Sequence, residues 1–88
     1  MQIETFKIFR DLAESGSFSR AARELGLSQP SVSRILAELE RDLGVPLLVR
    51  TTRAMSLTEA GTSYLARVEQ ILAALAEADH AVRGTGEL

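Results

Sequence analysis

The chain has 88 residues, 45% of them hydrophobic and only 5% aromatic, with no cysteine and a formal net charge of −2. That length holds one small, aliphatic-rich domain and suits packed helices better than an aromatic-rich β fold. The absence of cysteine excludes a disulfide scaffold, a zinc finger and a cysteine nucleophile, and the single histidine, His80, cannot make a metal site alone.

A sequence pI of about 5.3 argues against nucleic-acid binding. The distribution of charge argues less strongly. Residues 17–57 carry six arginines against four acids, a net of +2, whereas the flanks carry four basic groups against eight acids, a net of −4. The N-terminus, Met1-Gln2-Ile3-Glu4, lacks the basic and apolar regions of a signal peptide, and no apolar run approaches a membrane span. A soluble cytoplasmic protein, associated with the nucleoid, is therefore expected.

In chain order, Ile3, Phe6, Phe9, Leu12 and Ala13 form one face of a first helix over residues 2–14, ended by Ser15-Gly16-Ser17. Ser17 is placed to cap a short second helix, Phe18 to Leu25, with Ala21, Ala22 and Leu25 inward. Gly26 breaks it. Ser28 caps a third helix, Pro30 lies near its first position, and Val32, Ile35, Leu36, Leu39 and Leu43 form its apolar side before Gly44. Val45–Arg50 and Met55-Ser56-Leu57 are short β-prone runs around a polar tip, which predicts a small hairpin. Thr58 opens the last helix. Within it, Tyr64, Val68, Ile71, Leu75, Ala78 and Val82 recur at heptad-like spacing, widened by Ala60, Leu65, Leu72 and Ala76. One helix over 58–83 would span roughly 39 Å, more than so small a domain can cover. Residues 84–88 read as a linker.

The second and third helices fit a helix-turn-helix. Ala22 is small where the helices approach, Gly26 takes the turn, and Leu25, Val32 and Ile35 share a core. The third helix begins with small polar residues, an odd choice for helix propensity. In a major groove the choice makes sense. Ser28, Ser31 and Ser33 allow close approach, Gln29 suits an adenine edge, Arg34 a guanine or a phosphate, and Pro30 a thymine methyl. The unpaired amides of the helix start would also favour a phosphate. Glu38, Glu40 and Asp42 would repel DNA, which confines reading to the first half of the helix. The hairpin tip, Arg50-Thr51-Thr52-Arg53, suits a phosphate backbone or a minor groove.

The run "FSRAARELGLSQPSVSRILAELERDLGVPLLVRTTRAMSLTEAG" resembles the winged helix-turn-helix of LysR-type transcriptional regulators, through "AA..L..SQPSVSR.I..LE..LG..L" and "R..R...LT.AG". The resemblance extends over about residues 3 to 83. It implies a mostly α fold of three helices plus a β-hairpin wing (residues 1–58, the helix-turn-helix at about 18–37), followed by a long dimerisation helix (59–83). It implies DNA contacts at Gln29, Pro30, Ser31, Ser33 and Arg34, and at Arg50, Thr51 and Arg53 in the wing, with Ser28 beside them. It implies a homodimer through Tyr64, Val68, Ile71, Leu72, Leu75, Ala78 and Val82, bound to double-stranded DNA at an inverted repeat. Leu48 stands where the family usually carries phenylalanine. Family members continue into a large effector-binding domain, and a small-molecule inducer is expected only for that domain. This chain reaches "GTGEL" where it would begin, as a truncated chain or a fragment without its sensor would. No cofactor is expected in the chain itself.

Plainer roles compete at several positions. Arg34 could pair with Glu38 at i, i+4. Arg20 and Arg23 suit a solvated face, and Arg50 could buttress the wing instead of gripping DNA. The alternatives for the whole chain are a winged-helix protein-interaction module or another winged-helix regulator family, such as molybdate-responsive regulators. No carboxylate pair, nucleophile–base set or glycine-rich phosphate loop gives catalysis a carrier.

Overall fold

The computed structural model describes residues 2–51 and 55–86, for 85 and 86 the backbone alone. The chain runs α1 (Ile3–Ser15), α2 (Phe18–Leu25), α3 (Gln29–Leu43), β1 (Leu48–Arg50), β2 (Met55–Leu57) and α4 (Glu59–Gly86). The caps expected from sequence form. Ser17 Oγ accepts from the Arg20 amide at 3.2 Å, and Ser28 Oγ from the Ser31 amide at 3.2 Å. The core collects one apolar face from each helix and the start of the wing. Phe9, Leu12, Ala21, Val32, Leu36, Leu39, Leu47 and Val68 are all buried. β1 and β2 pair antiparallel, with Leu48 opposite Leu57, Val49 opposite Ser56 and Arg50 opposite Met55. Leu48 is buried, so the smaller side chain still fills the place under the wing.

A junction of backbone and polar groups joins α3, β1 and α4. The Glu40 carboxylate accepts from the Leu47 amide at 2.6 Å and from the Leu48 amide at 3.2 Å. The Leu47 carbonyl accepts from the Thr58 amide at 3.0 Å. Thr58 Oγ1 donates to the Pro46 carbonyl at 2.8 Å and accepts from the Gly61 amide at 2.9 Å, which caps α4. The expectation that Glu40 is a DNA-repelling charge, like Glu38 and Asp42, is thereby corrected. Those two side chains are exposed, whereas the Glu40 carboxylate is turned into the fold, held by two charge-assisted hydrogen bonds.

α4 has 28 residues and so runs roughly 42 Å, within a molecule 53 Å in its longest dimension. Its first half lies against α1. Phe6 and Phe9 tilt against Tyr64 with ring centroids 6.4 and 5.6 Å away, and desolvation there raises the Tyr64 pKa. The heptad-like seam consequently divides. Val68 and Leu72, expected at a dimer interface, are buried by the chain's own helices, Val68 fully and Leu72 nearly so, and Tyr64 is half-buried beside them. Ile71 and Val82 remain exposed, at 42% and 71%. The helix continues through Gly84 to Gly86, into the stretch expected to be a linker, and residues 87 and 88 lie outside the described residues. A glycine costs a helix about 1 kcal/mol, and that alone does not end one already propagating. No helix among the described residues is long and apolar enough to cross a membrane.

Gly61 is the tightest steric point of the junction. A Cβ there would overlap the Leu47 carbonyl oxygen, which is backbone and cannot swing aside. Gly61→Ala should therefore cost about 1–3 kcal/mol of stability, as overpacking does. Urea unfolding followed by circular dichroism measures it, and an unchanged midpoint would contradict the close approach.

Candidate nucleic-acid interface

α2 is short because a Schellman ending stops it. The Leu27 amide reaches back to the Ala22 carbonyl at 2.9 Å and the Gly26 amide to Arg23 at 3.3 Å. Gly26 sits at φ 72°, a conformation that side chains with a Cβ rarely adopt. Two residues later Ser28 begins α3. Ala21 and Ala22 are buried, so α2 can lie close against α3 while the N-terminal end of α3 stays in solvent.

At that end Ser28, Gln29, Pro30 and Arg34 are exposed, and Ser31 and Ser33 half-buried. Ser28 Oγ–H donates to Ser31 Oγ at 2.8 Å, which leaves the Ser31 hydroxyl hydrogen available as a donor. Pro30, Ser31 and Arg34 line one shallow depression. Arg34 makes no ion pair with a described residue, so the alternative pairing with Glu38 is not formed. The amides are less available than the sequence implies. Pro30 has none, Ser31 donates to Ser28 Oγ, and Val32 donates to the Ser28 carbonyl at 3.1 Å. Among the described first-turn amides, that leaves Gln29.

The wing contributes Arg50 and Thr51, both exposed, whereas Arg53 lies outside the described residues. The Arg50 guanidinium carbon stands 4.4 Å from the centroid of the Phe18 ring. Such a cation–π contact contributes about 0.5–1 kcal/mol at an exposed site and fixes where the charge is held. Arg50 is thus brought to the start of α2, and its buttressing role and its availability to a phosphate coexist. Sequence reading missed Phe18 as its platform. It also missed Glu40 as the clamp of the wing, although a glutamate four residues before Gly44 and seven before Leu47 was visible. Among the described residues no group of three or more acidic or histidine side chains could hold a metal ion.

A short helix, a Schellman turn, a capped helix beginning with small hydroxyls and a two-stranded wing together define a winged helix-turn-helix DNA-binding domain. The family model for bacterial regulatory helix-turn-helix proteins of the lysR family matches residues 3–62. The chain belongs to that family and is a LysR-type DNA-binding domain of transcription regulation. It is 50% identical over 76 residues to the HTH-type transcriptional regulator CrgA of Neisseria meningitidis serogroup C, covering 86% of this chain and 25% of CrgA. It is 47% identical over 73 residues to the regulator BudR of Raoultella terrigena, covering 83% of this chain and 25% of BudR. The chain therefore spans about a quarter of the length of these curated relatives. Among solved structures it resembles the CbnR DBD–DNA complex, with a TM-score of 0.90 and 36% identity over 98% of this chain and 99% of that one. It also resembles the BenM DBD on benA site 1 DNA, with a TM-score of 0.92 and 27% identity over 97% of this chain and 99% of that one. These relatives favour neither the protein-interaction module nor the molybdate-responsive regulators.

The exposure of Gln29 and Arg34 at the start of α3 yields a specific expectation. Gln29→Ala and Arg34→Ala should each lower discrimination between bases by about 1–3 kcal/mol at one position of the site. Sequencing of bound duplexes reads this directly, and a base preference identical to that of the parent chain would remove the residue from the reading surface.

Proposed function

We propose that two copies of this chain bind one inverted-repeat site on double-stranded DNA, paired through α4, and thereby position a regulator of transcription in the cytoplasm. Each copy places the start of α3 in a major groove. Ser28, Gln29, Pro30, Ser31, Ser33 and Arg34 face bases and phosphates there, and Arg50, Thr51 and Arg53 approach the backbone or the minor groove. The observation that carries the pairing is the outer half of α4. Ile71, Leu75, Ala78 and Val82 step by 4, 3 and 4 along a helix whose inner half is already packed. An apolar stripe at that spacing is a coiled-coil seam awaiting a second helix. In the longer relatives an effector-binding domain would follow, and a small-molecule inducer would act there.

The test is fluorescence anisotropy of the chain with random duplexes at two salt concentrations, followed by sequencing of the bound fraction. Enrichment of an inverted repeat, with affinity falling steeply as salt rises, is the expected outcome. Binding without a repeated half-site would refute the dimeric reading. Independently, Ile71→Glu changes a residue that is 42% exposed in the single chain, so the fold should survive it. It should convert dimers to monomers in analytical ultracentrifugation, and a dimer that persists would move the interface elsewhere.

A further inference from the structure

We propose that Glu40 is a positioning residue that sets the permitted spacing between the two half-sites. The inference rests on the dimeric reading above and concerns how the reading helix is tied to the pairing helix. The route from α3 to α4 passes through residues 44–58, and a chain of directional contacts among its described residues links the two ends. Glu40, six residues after Arg34 on the same helix, holds the Leu47 and Leu48 amides at 2.6 and 3.2 Å. The Pro46 and Leu47 carbonyls then hold Thr58, the cap of α4, at 2.8 and 3.0 Å. Gly61 rests on the same Leu47 carbonyl with no room for a Cβ. Beside this chain of bonds, α1 packs on α4 through the tilted rings of Phe6, Phe9 and Tyr64. The hydrogen-bonded chain from Glu40 to Thr58 adds a second, directional tie from α3 itself, which sets the angle at which α4 leaves the reading head.

That angle is read out on DNA. Adding one base pair between half-sites moves them about 3.4 Å further apart and rotates one about the axis by about 35°. A dimer whose α4 direction is rigid accepts one spacing and rejects its neighbours. A dimer with a loosened junction accepts several. Glu40 itself need touch no base.

The experiment uses the 88-residue chain and duplexes carrying two copies of the selected half-site with spacers of graded length, beside duplexes carrying one copy. Glu40→Ala should lower the affinity ratio between the best spacing and the next by about fivefold or more, the low end of ordinary coupling between sites. Glu40→Gln should restore the ratio, since its amide oxygen can still accept from the same backbone amides. Thr58→Val, which removes the hydroxyl at the other end of the chain of bonds, should reproduce the loss. Affinity for a single half-site should stay the same in all of them. A purely structural role would reduce the folded fraction and lower every affinity together, leaving the ratio intact, and that result overturns the proposal. Should Glu40→Ala fail to fold by circular dichroism, Thr58→Val decides alone, an unchanged ratio overturning the proposal. A parent chain that binds single half-sites but prefers no spacing overturns the dimeric reading and this inference with it. A fixed spacing in the parent and in both loss variants overturns this inference alone.

Discussion

Two backbone amides, those of Leu47 and Leu48, leave the end of α3 pointing back at the helix rather than across to β2, and the Glu40 carboxylate takes both. Buried or half-buried amides left without acceptors would cost about 1–3 kcal/mol each, so the segment after Gly44 has one favourable course. Once that course is set, the Pro46 and Leu47 carbonyls are in place for Thr58, and Thr58 starts α4. The course of the wing and the start of α4 thus both follow from one carboxylate on α3 accepting two hydrogen bonds. The same constraint explains why Gly61 follows Thr58 by three residues: the first turn of α4 lies directly on the carbonyl that Thr58 has engaged.

The start of α3 shows a different compromise. Serine and proline are poor interior helix residues, yet here each satisfies or removes a first-turn amide. Ser28 caps, Pro30 has no amide to satisfy, and the Ser28–Ser31 hydroxyl pair leaves the Ser31 hydroxyl hydrogen as a donor on a solvent-facing turn. Helix formation is driven from the other face, where Val32, Leu36 and Leu39 are buried. The two faces divide the work, apolar burial holding the helix in place and small polar groups keeping its outer side low enough for a groove. Hydroxyls already used in caps also cost little additional ordering on binding.

Local signals made most of this legible before any coordinates. The caps at Ser17 and Ser28, the breaks at Gly26 and Gly44, the 3.6-residue apolar period and the hairpin all depend on neighbours within a few residues, and each formed where the sequence placed it. What stayed hidden depends on partners distant in sequence. Val68 and Leu72 share the spacing of Ile71 and Val82, and only the position of α1 separates core from surface along that stripe. Glu40 looks like Glu38 and Asp42 until the chain returns past it seven residues later. Arg50 allowed two roles because Phe18, thirty-two positions away, had no visible reason to lie beneath it. Periodicity identifies a face; it does not say which element covers it.

The acidic net charge is the remaining tension for a DNA-binding domain, and distance resolves most of it. At physiological salt, charges more than about 8 Å apart in solvent are largely screened. Glu77 and Asp79 lie on the outer half of α4, and from Gly61 the helix carries Glu77 roughly 24 Å away at 1.5 Å per residue. Asp42 lies roughly 21 Å along α3 from Ser28 by the same rise, whereas Glu38, roughly 6 Å along the helix from Arg34, is the acid that stays close. Glu40 is nearer the wing, and one of its oxygens, Oε2, already accepts the Leu47 and Leu48 amides. Arg34 and Arg50 stand exposed near the start of α3 and on the wing, neither of them paired with a carboxylate among the described residues. The sign of the whole molecule governs its solubility and long-range encounter, while the sign within one screening length of the reading helix governs its grip.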